Sequence, residues 1–334
     1  MQTFVDPDLE GGAMNDSARA QPLVRKTEFD GDTWLHYPAL RPDVAIIRAT
    51  TADENGNLTF EQEGATLGAM EMALAARNCG GIVIAQVRRV AAQGTLKPHD
   101  VRVPGILVDV IVEAPEQLQT TATPYDPAIS GELFRPLSTF RMPEFNVGKV
   151  IARRVASELR GGWAVNIGFG ISANVPRILL EEGQHGKVTW VIEQGAVGGV
   201  PLLDFKFGCA SNAEAFVASP HQFIYFQAGG FDCSLLSFLE IDAEGSVNVS
   251  RLSATPHRVG PTADARHRKR MKSFQAHWAA LAAAMVLAAW PPAPRRARTR
   301  PVPPQPPGRC SGWTWLRPPP HSPWAASASS NLGW

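Results

Sequence analysis

The residues with the strongest claim to chemistry lie between Val191 and Pro201, where a β-branched run delivers Glu193 into Gly195, Gly198 and Gly199. Glycines there permit positive φ and let a ligand approach the backbone, so the carboxylate stands at the carboxyl end of a strand beside exposed N–H groups. Such a carboxylate can serve as a nucleophile or sit as a solvated acid in an ordinary turn, and the pattern alone admits both. A second constellation, Asn166, Gly168 and Gly170 in NIGFGISANVP, also ends a strand and leads into a helix. Its backbone N–H groups, with a helix N-terminus behind them, suit a carboxylate or an oxyanion. The same text, Gly168-x-Gly170-x-x-Ala173, spells a loose dinucleotide fingerprint, with Glu193 about 20 residues on, where a ribose-binding acid belongs. Ribose recognition, however, does not call for the glycines that follow Glu193.

Other nucleophile and ligand patterns are missing. His99, His185 and His221 have no Ser or Cys partner in a triad arrangement, and no G-x-S-x-G elbow occurs. Cys79, Cys209, Cys233 and Cys310 are scattered without a CxxC pair, which indicates neither zinc nor a disulfide framework, so no metal is expected and the thiols read as reduced and cytoplasmic. Cys209 in FGCASN reads as a small buried residue without a nearby cationic group to lower its pKa. The acidic opening MQTFVDPDLEGG has no apolar run of the kind a secretory signal needs. No stretch reaches the ~20 apolar residues of a membrane span, the nearest being WAALAAAMVLAAW at 278–290.

The elements that must position Glu193 are legible as alternating strand and helix signals, the pattern of a mostly parallel sheet with crossover helices. DVAIIRATT, GGIVIAQVRRV and VPGILVDVIVEAP read as strands, and TLGAMEMALAARN as a helix, with Gly80 and Gly81 in a tight helix-to-strand turn. After a Thr/Pro/Ser-rich loop the pattern restarts: VGKVIARRVASELRGG as an amphipathic helix, WAVNIGFG as a strand, NVPRILLEEG as a helix, and VTWVIEQG as a strand. AEAFVAS reads as a short helix, and QFIYFQAGG and DCSLLSFLEID as apolar strands. The expected fold class is therefore α/β, with two related open α/β/α domains, both partial, at residues 1–143 and 144–252.

Residues 253–334 differ in kind. They hold twelve Lys or Arg against one acid, Asp264, fourteen of the 28 prolines and six of the nine tryptophans, so the formal net charge of +1 averages an acidic body and a basic tail. Prolines at that density stop regular structure, and the segment is expected to be disordered. A nucleic-acid-binding arm is the functional alternative, since basic residues interleaved with Trp suit phosphates and bases; disorder with a positive bias is the commoner outcome, and no nucleic-acid partner is expected.

Taken in order, several segments resemble the family I coenzyme A transferases with fused subunits, those acting on acetate, propionate and 3-oxoacids. TFVDPDLEGGAMN, RATTADENGNLTFEQEG, ARNCGGIVIAQVRRV, VPGILVDVIVEAPEQ and YDPAISGE are similar to the latter part of that family's first domain. NIGFGI, VIEQGAVGGVP and QAGGFDCSLLSFLEIDAEGSVNVSRL are similar to the early and middle parts of its second, so the likeness runs from about Thr3 to Arg251.

The resemblance implies a ping-pong transfer of CoA between a short-chain acyl-CoA and a carboxylic acid, with Glu193 as nucleophile and a glutamyl-CoA thioester as intermediate. It implies that Gly168, Gly170, Gly198 and Gly199 hold oxyanions with Asn166 orienting one of them, that Gly195 belongs to the same substrate-binding turn, and that CoA is substrate with no bound cofactor. It further implies a homo-oligomer for an intact chain, a missing upstream glycine-rich loop, and a tail after Arg251 that stands where the family has a further glycine-rich segment, as a frameshift would produce. The alternatives are an inactive truncated remnant of such an enzyme and, at greater distance, a dinucleotide-binding oxidoreductase.

Overall fold

The computed structural model describes residues 20–121, 123–236, 240–241, 247–248 and 286–289, all within one unit, Met1–Ala293. Disorder of the tail thus falls outside the described residues except at Val286–Ala289, which forms a strand. An unexpected hairpin comes first, β1 (Arg25–Phe29) and β2 (Asp32–His36), reversed at Asp30-Gly31 with both residues at positive φ. Asp-Gly is a hairpin-turn dipeptide, so that signal was present in the sequence.

The first sheet holds β3 (Val44–Asp53), β4 (Leu58–Thr59), β5 (Ile82–Ala91) and β6 (Val110–Glu113) in the order β4-β3-β5-β6. β3, β5 and β6 run parallel, and helix α1 (Ala69–Asn78) crosses between β3 and β5. Ala69, Ala73 and Ala76 line the buried face of α1, small enough for close approach to the sheet, against Ala45, Ile47, Ala49, Val83, Ala85 and Val87. The return from helix to strand needs Gly81, where a Cβ would lie 2.5 Å from the Asp43 carbonyl oxygen. VPGILVDVIVEAP does not form one long strand: Pro104 and Gly105 open a 3₁₀ turn at Gly105–Leu107, and only Val110–Glu113 joins the sheet. Val44, Ile46, Ile82, Val110 and Val112 leave the opposite face of this sheet exposed, although parallel sheets are ordinarily covered on both sides.

Beyond the short helix α2 (Pro127–Ser130), helix α3 (Val147–Glu158) begins at Asn146, whose side chain accepts from Lys149 N–H at 2.9 Å. The second sheet follows, with β7 (Trp163–Ile167), helix α4 (Val175–Glu181), β8 (Val188–Val191) and β9 (Ala196–Val197). A small ribbon of β10 (Val200–Pro201) and β11 (Ala210–Ser211) lies to one side; β12 (Ala215–Phe216), helix α5 (Ser219–Gln227), β13 (Cys233–Leu236), the pair β14 (Glu240–Ile241) and β15 (Val247–Asn248), and β16 (Val286–Ala289) complete the described elements.

The second sheet's order is β12-β9-β8-β7-β13-β16, parallel through β8, β7 and β13 and antiparallel at both margins. Its core gathers Val155, Val165, Ile167, Ile178, Leu179, Trp190, Ile192 and Leu235, separate from the core of the first sheet. Two cores drawn from either side of residues 143–144 support that division as a proposed domain boundary.

Two expectations are corrected around the second sheet. AEAFVAS is not helical: Phe216 pairs with Ala196 and Ala215 with Val197, so cross-strand bonding overrides the local helix signal of alanine and glutamate. QFIYFQAGG is not a strand but the body of α5, which carries Pro220 in its first turn and buries Gln222 and Phe226 four residues apart.

Candidate active site

Asn166 on β7 pairs in register with Val191 on β8, so Gly168 and Glu193, each two residues further on, leave the sheet at the same carboxyl edge. Parallel α/β sheets place their ligands at that edge. Glu193 and Gln194 form the tip of a tight reversal: Ile192 N–H donates to Ala196 O at 3.0 Å and Gly195 N–H to Ile192 O at 2.8 Å. The chain then returns as β9, antiparallel to β8.

The glycines serve this tip in a way different from that expected. Gly195 has φ +119°, and a Cβ on it would stand 1.9 Å from Val217 O, while Val217 N–H donates to Gly195 O at 2.9 Å. Gly198, at φ +73°, gives its N–H to Trp190 O at 2.8 Å, and the Glu214 side chain fills the space where its Cβ would be. At Gly199, with φ +68°, a Cβ would lie 2.4 Å from Ser211 O. Close backbone approach is real at all three positions, and in each case the neighbour is this chain itself.

Gly168 N–H donates to Leu235 O at 2.8 Å, so that group is spent within the sheet. Asn166 is buried, donating to Val191 O at 3.3 Å and accepting from Ser234 Oγ at 2.8 Å; its side chain ties β7 to β8 and β13. Gly170, at φ +100°, leads into a 3₁₀ turn at Ile171–Asn174 before α4 begins. The N–H groups of Gly170 and Gly199 have no hydrogen-bond partner among the described residues.

Burial holds the Glu193 carboxyl above the usual carboxylate range, and burial is the sole cause: no cation or hydrogen-bond donor among the described residues offsets it. A carboxylate stripped of part of its hydration, without a paired cation, is more nucleophilic than one in water. One other buried acid, Glu63, is committed to partners of its own. Glu63, pushed up by burial and pulled back by Arg48, accepts from Arg48 Nε at 2.9 Å and from Gln117 at 3.1 Å. Cys209 does have a cation within reach, Arg48, contrary to the sequence reading, yet burial still lifts its thiol to about 11, which leaves it inert.

Sequence reasoning missed what holds the tip in place. Ser219, the first residue of α5, donates from Oγ to Glu193 O at 2.8 Å and from its N–H to Leu67 O at 3.1 Å. Leu67 has φ +50° and helps line a cavity of about 500 Å³ between the two sheets' segments, with Phe60, Met70, Glu71, Val217 and His221 among its walls. Ser-Pro at 219–220 could have signalled a helix start, but nothing local pointed to Glu193 or to the cavity.

A family model described as Coenzyme A transferase matches residues 1–114. Over 254 residues the chain is 43% identical to the caffeate CoA-transferase of Acetobacterium woodii, covering 75% of this chain and 48% of that one. It is 38% identical to the acetate CoA-transferase YdiF of Escherichia coli strain K12, over 75% of this chain and 47% of the relative. The solved thioester complex with CoA of the acyl-CoA transferase YdiF from E. coli O157:H7 superposes with a TM-score of 0.63 at 33% identity, covering 74% of this chain and 50% of that chain. The chain spans about half the length of the curated relatives it matches. With the order of segments, the paired sheets and these likenesses in agreement, the chain is similar over about three quarters of its length to the family I coenzyme A transferases.

Proposed function

We propose that this chain transfers CoA between a short-chain acyl-CoA, such as acetyl-, propionyl- or acetoacetyl-CoA, and a second carboxylic acid, with Glu193 as nucleophile. The observation that carries the reading is the Glu193 carboxyl itself, partly buried and without a cationic partner at the carboxyl edge of the sheet.

A Glu193 carboxylate oxygen attacks the thioester carbonyl, the C–S bond breaks, and CoA leaves as thiolate, giving a mixed acyl-glutamyl anhydride. The thiolate then attacks the glutamyl carbonyl, the anhydride C–O bond breaks, and the first acid departs as carboxylate. Glu193 now carries CoA as a thioester, and a second carboxylate reverses both steps. Charge and protons balance without a general base, which suits a tip where no titratable partner of Glu193 is found among the described residues. The N–H groups of Gly170 and Gly199 are assigned to the oxyanions of these steps, and Asn166, through Val191, to the alignment of the two turns. The relative solved as a thioester complex with CoA supports a thioester intermediate. The free thiols Cys79, Cys209 and Cys233 fit the reducing cytoplasm to which we assign the reaction.

The test is to incubate the protein with acetyl-CoA or acetoacetyl-CoA, treat it with borohydride or hydroxylamine, and locate the modified residue by mass spectrometry. Modification confined to Glu193 is expected. An unmodified protein that binds no CoA would identify an inactive remnant, and NAD binding without CoA binding would return the dinucleotide reading.

A further inference from the structure

We propose that Ser219 is a positioning residue of the transfer reaction, a side chain that holds the nucleophile's peptide in register with the cavity beside it. The proposal rests on the transferase reading of Glu193. Two bonds carry it. Ser219 Oγ donates to the carbonyl of Glu193 at 2.8 Å, and the N–H of the same residue donates to the carbonyl of Leu67 at 3.1 Å. Fixing the Glu193 carbonyl fixes the Glu193–Gln194 peptide plane. With the Gly195 N–H bond to Ile192 O closing the other side of the reversal, the Cα–Cβ direction of Glu193 has little freedom left.

The second bond ends on a residue under strain. Leu67 is a non-glycine residue at φ +50°, half exposed, on the cavity wall. Left-handed backbone at such a residue persists only where its surroundings over-determine it. Pro220, next to Ser219, packs against the Gly68 position that follows Leu67, with 3.6 Å between its Cγ and a Cβ placed there. The cavity wall and the nucleophile thus share one anchor: Val217 and Ala218 line the cavity, Val217 meets Gly195, and Ser219 closes the link. A hydroxyl that only completes a helix start accepts from the free N–H groups of the first turn or meets water. This one instead reaches the backbone of the residue proposed to form the covalent bond.

The experiment compares Ser219→Ala, Ser219→Thr and, as a matched control, Thr139→Ala, which removes a hydroxyl-to-carbonyl bond of 2.7 Å to Pro136 at an exposed turn. Glu193 labelling by acetyl-CoA is followed at several concentrations. Ser219→Ala is expected to slow labelling at saturation about tenfold with its half-saturating concentration unchanged, because a misaligned nucleophile loses rate rather than ground-state binding. Ser219→Thr, which keeps the hydroxyl, is expected to recover the rate to within about twofold, and Thr139→Ala to leave it unchanged. Labelling of Ser219→Ala at the parent rate, or an equal loss in Thr139→Ala, overturns the proposal.

A second readout does not depend on turnover. The Glu193 carboxyl, followed by ¹³C NMR, is expected to titrate closer to the ordinary carboxylate range in Ser219→Ala than in the parent, and an unchanged titration overturns the proposal. If the parent protein forms no Glu193 adduct, the transferase reading fails, and this titration alone decides whether Ser219 positions the carboxyl.

Discussion

Replacing Arg177 by methionine is expected to stabilise the protein, although it deletes a cation–π contact. Arg177 on α4 is 6% exposed, and its Nε and Nη1 have no hydrogen-bond partner among the described residues. Burial, and then the like charge of Arg135, draw its pKa down to about 10. Each decade of proton affinity is worth about 1.4 kcal/mol, so keeping this guanidinium charged in the fold costs roughly 3 kcal/mol. Its compensation is the Phe140 ring, 4.5 Å from the guanidinium carbon, worth about 1–2 kcal/mol where desolvated. Methionine retains the apolar stem against Phe140 without the charge, and the net gain should be about 1–2 kcal/mol. Urea unfolding at neutral pH measures it.

The pH dependence of that gain has a definite sign. The unfolded chain holds the Arg177 proton to higher pH than the folded one, so the parent gains stability as pH rises through about 10, and the variant's advantage narrows there. A loss of more than about 1 kcal/mol in the variant would refute the reasoning, because breaking a satisfied buried cation is costly and the guanidinium would then have an anionic partner after all.

Three further outcomes are expected. Gly195→Ala should destabilise by about 3 kcal/mol or more in chemical denaturation, since a Cβ would overlap Val217 O and φ +119° is foreign to alanine. Arg48→Met should cost about 3 kcal/mol at neutral pH by leaving Glu63 buried and uncompensated, and adding Glu63→Leu should recover much of that. Because the Glu63 pKa is already raised with Arg48 present, the Arg48→Met penalty should shrink as pH falls and the carboxyl takes up its proton. Glu193→Gln should abolish acyl-CoA labelling yet raise stability at neutral pH by about 1 kcal/mol. A carboxyl raised by burial favours the protonated fold, so this gain is present above its folded pKa and vanishes below the ordinary carboxylate range, which thermal melts across pH 4 to 8 would show.

The parts of the site that were legible in sequence are those whose cause is local. β3, β5, β7 and β8 open on apolar, largely β-branched or aromatic residues, and α3 is an amphipathic run with a buried stripe of Ala152, Val155 and Ala156. Glu193 at the end of β8 was equally plain. What escaped was Ala215–Phe216 as a strand and Ser219–Gln227 as a helix, because non-local partners decide both: Phe216 pairs with Ala196 twenty positions earlier, and Ser219 bonds Leu67 across the two segments. Alanine and glutamate in AEAFVAS favour helix by propensity, and a two-residue ladder suffices to overrule them. The same non-locality hid the cavity, whose walls come from residues 59–71, 100–103, 130 and 216–221.

The glycines show how a correct residue choice can rest on a different cause. Gly195, Gly198 and Gly199 stood out as places where a ligand could approach the backbone, and close approach is what they provide. At Gly195 the approaching atom is Val217 O, at Gly198 it is the Glu214 side chain, and at Gly199 it is Ser211 O. Sequence cannot distinguish a glycine cleared for a substrate from one cleared for the chain's own return strand, since both demand a missing Cβ and a positive φ. The N–H groups of Gly168 and Gly198 are bonded within the chain, so the proposed oxyanion role falls to Gly170 and Gly199. In the proposed reading the tip that carries Glu193 is held by β12 and Ser219. A nucleophile that works through an anhydride and then a thioester at the same carbon must keep that carbon in place through four substitutions. A hairpin tip clamped by a strand and a helix end supplies that fixity.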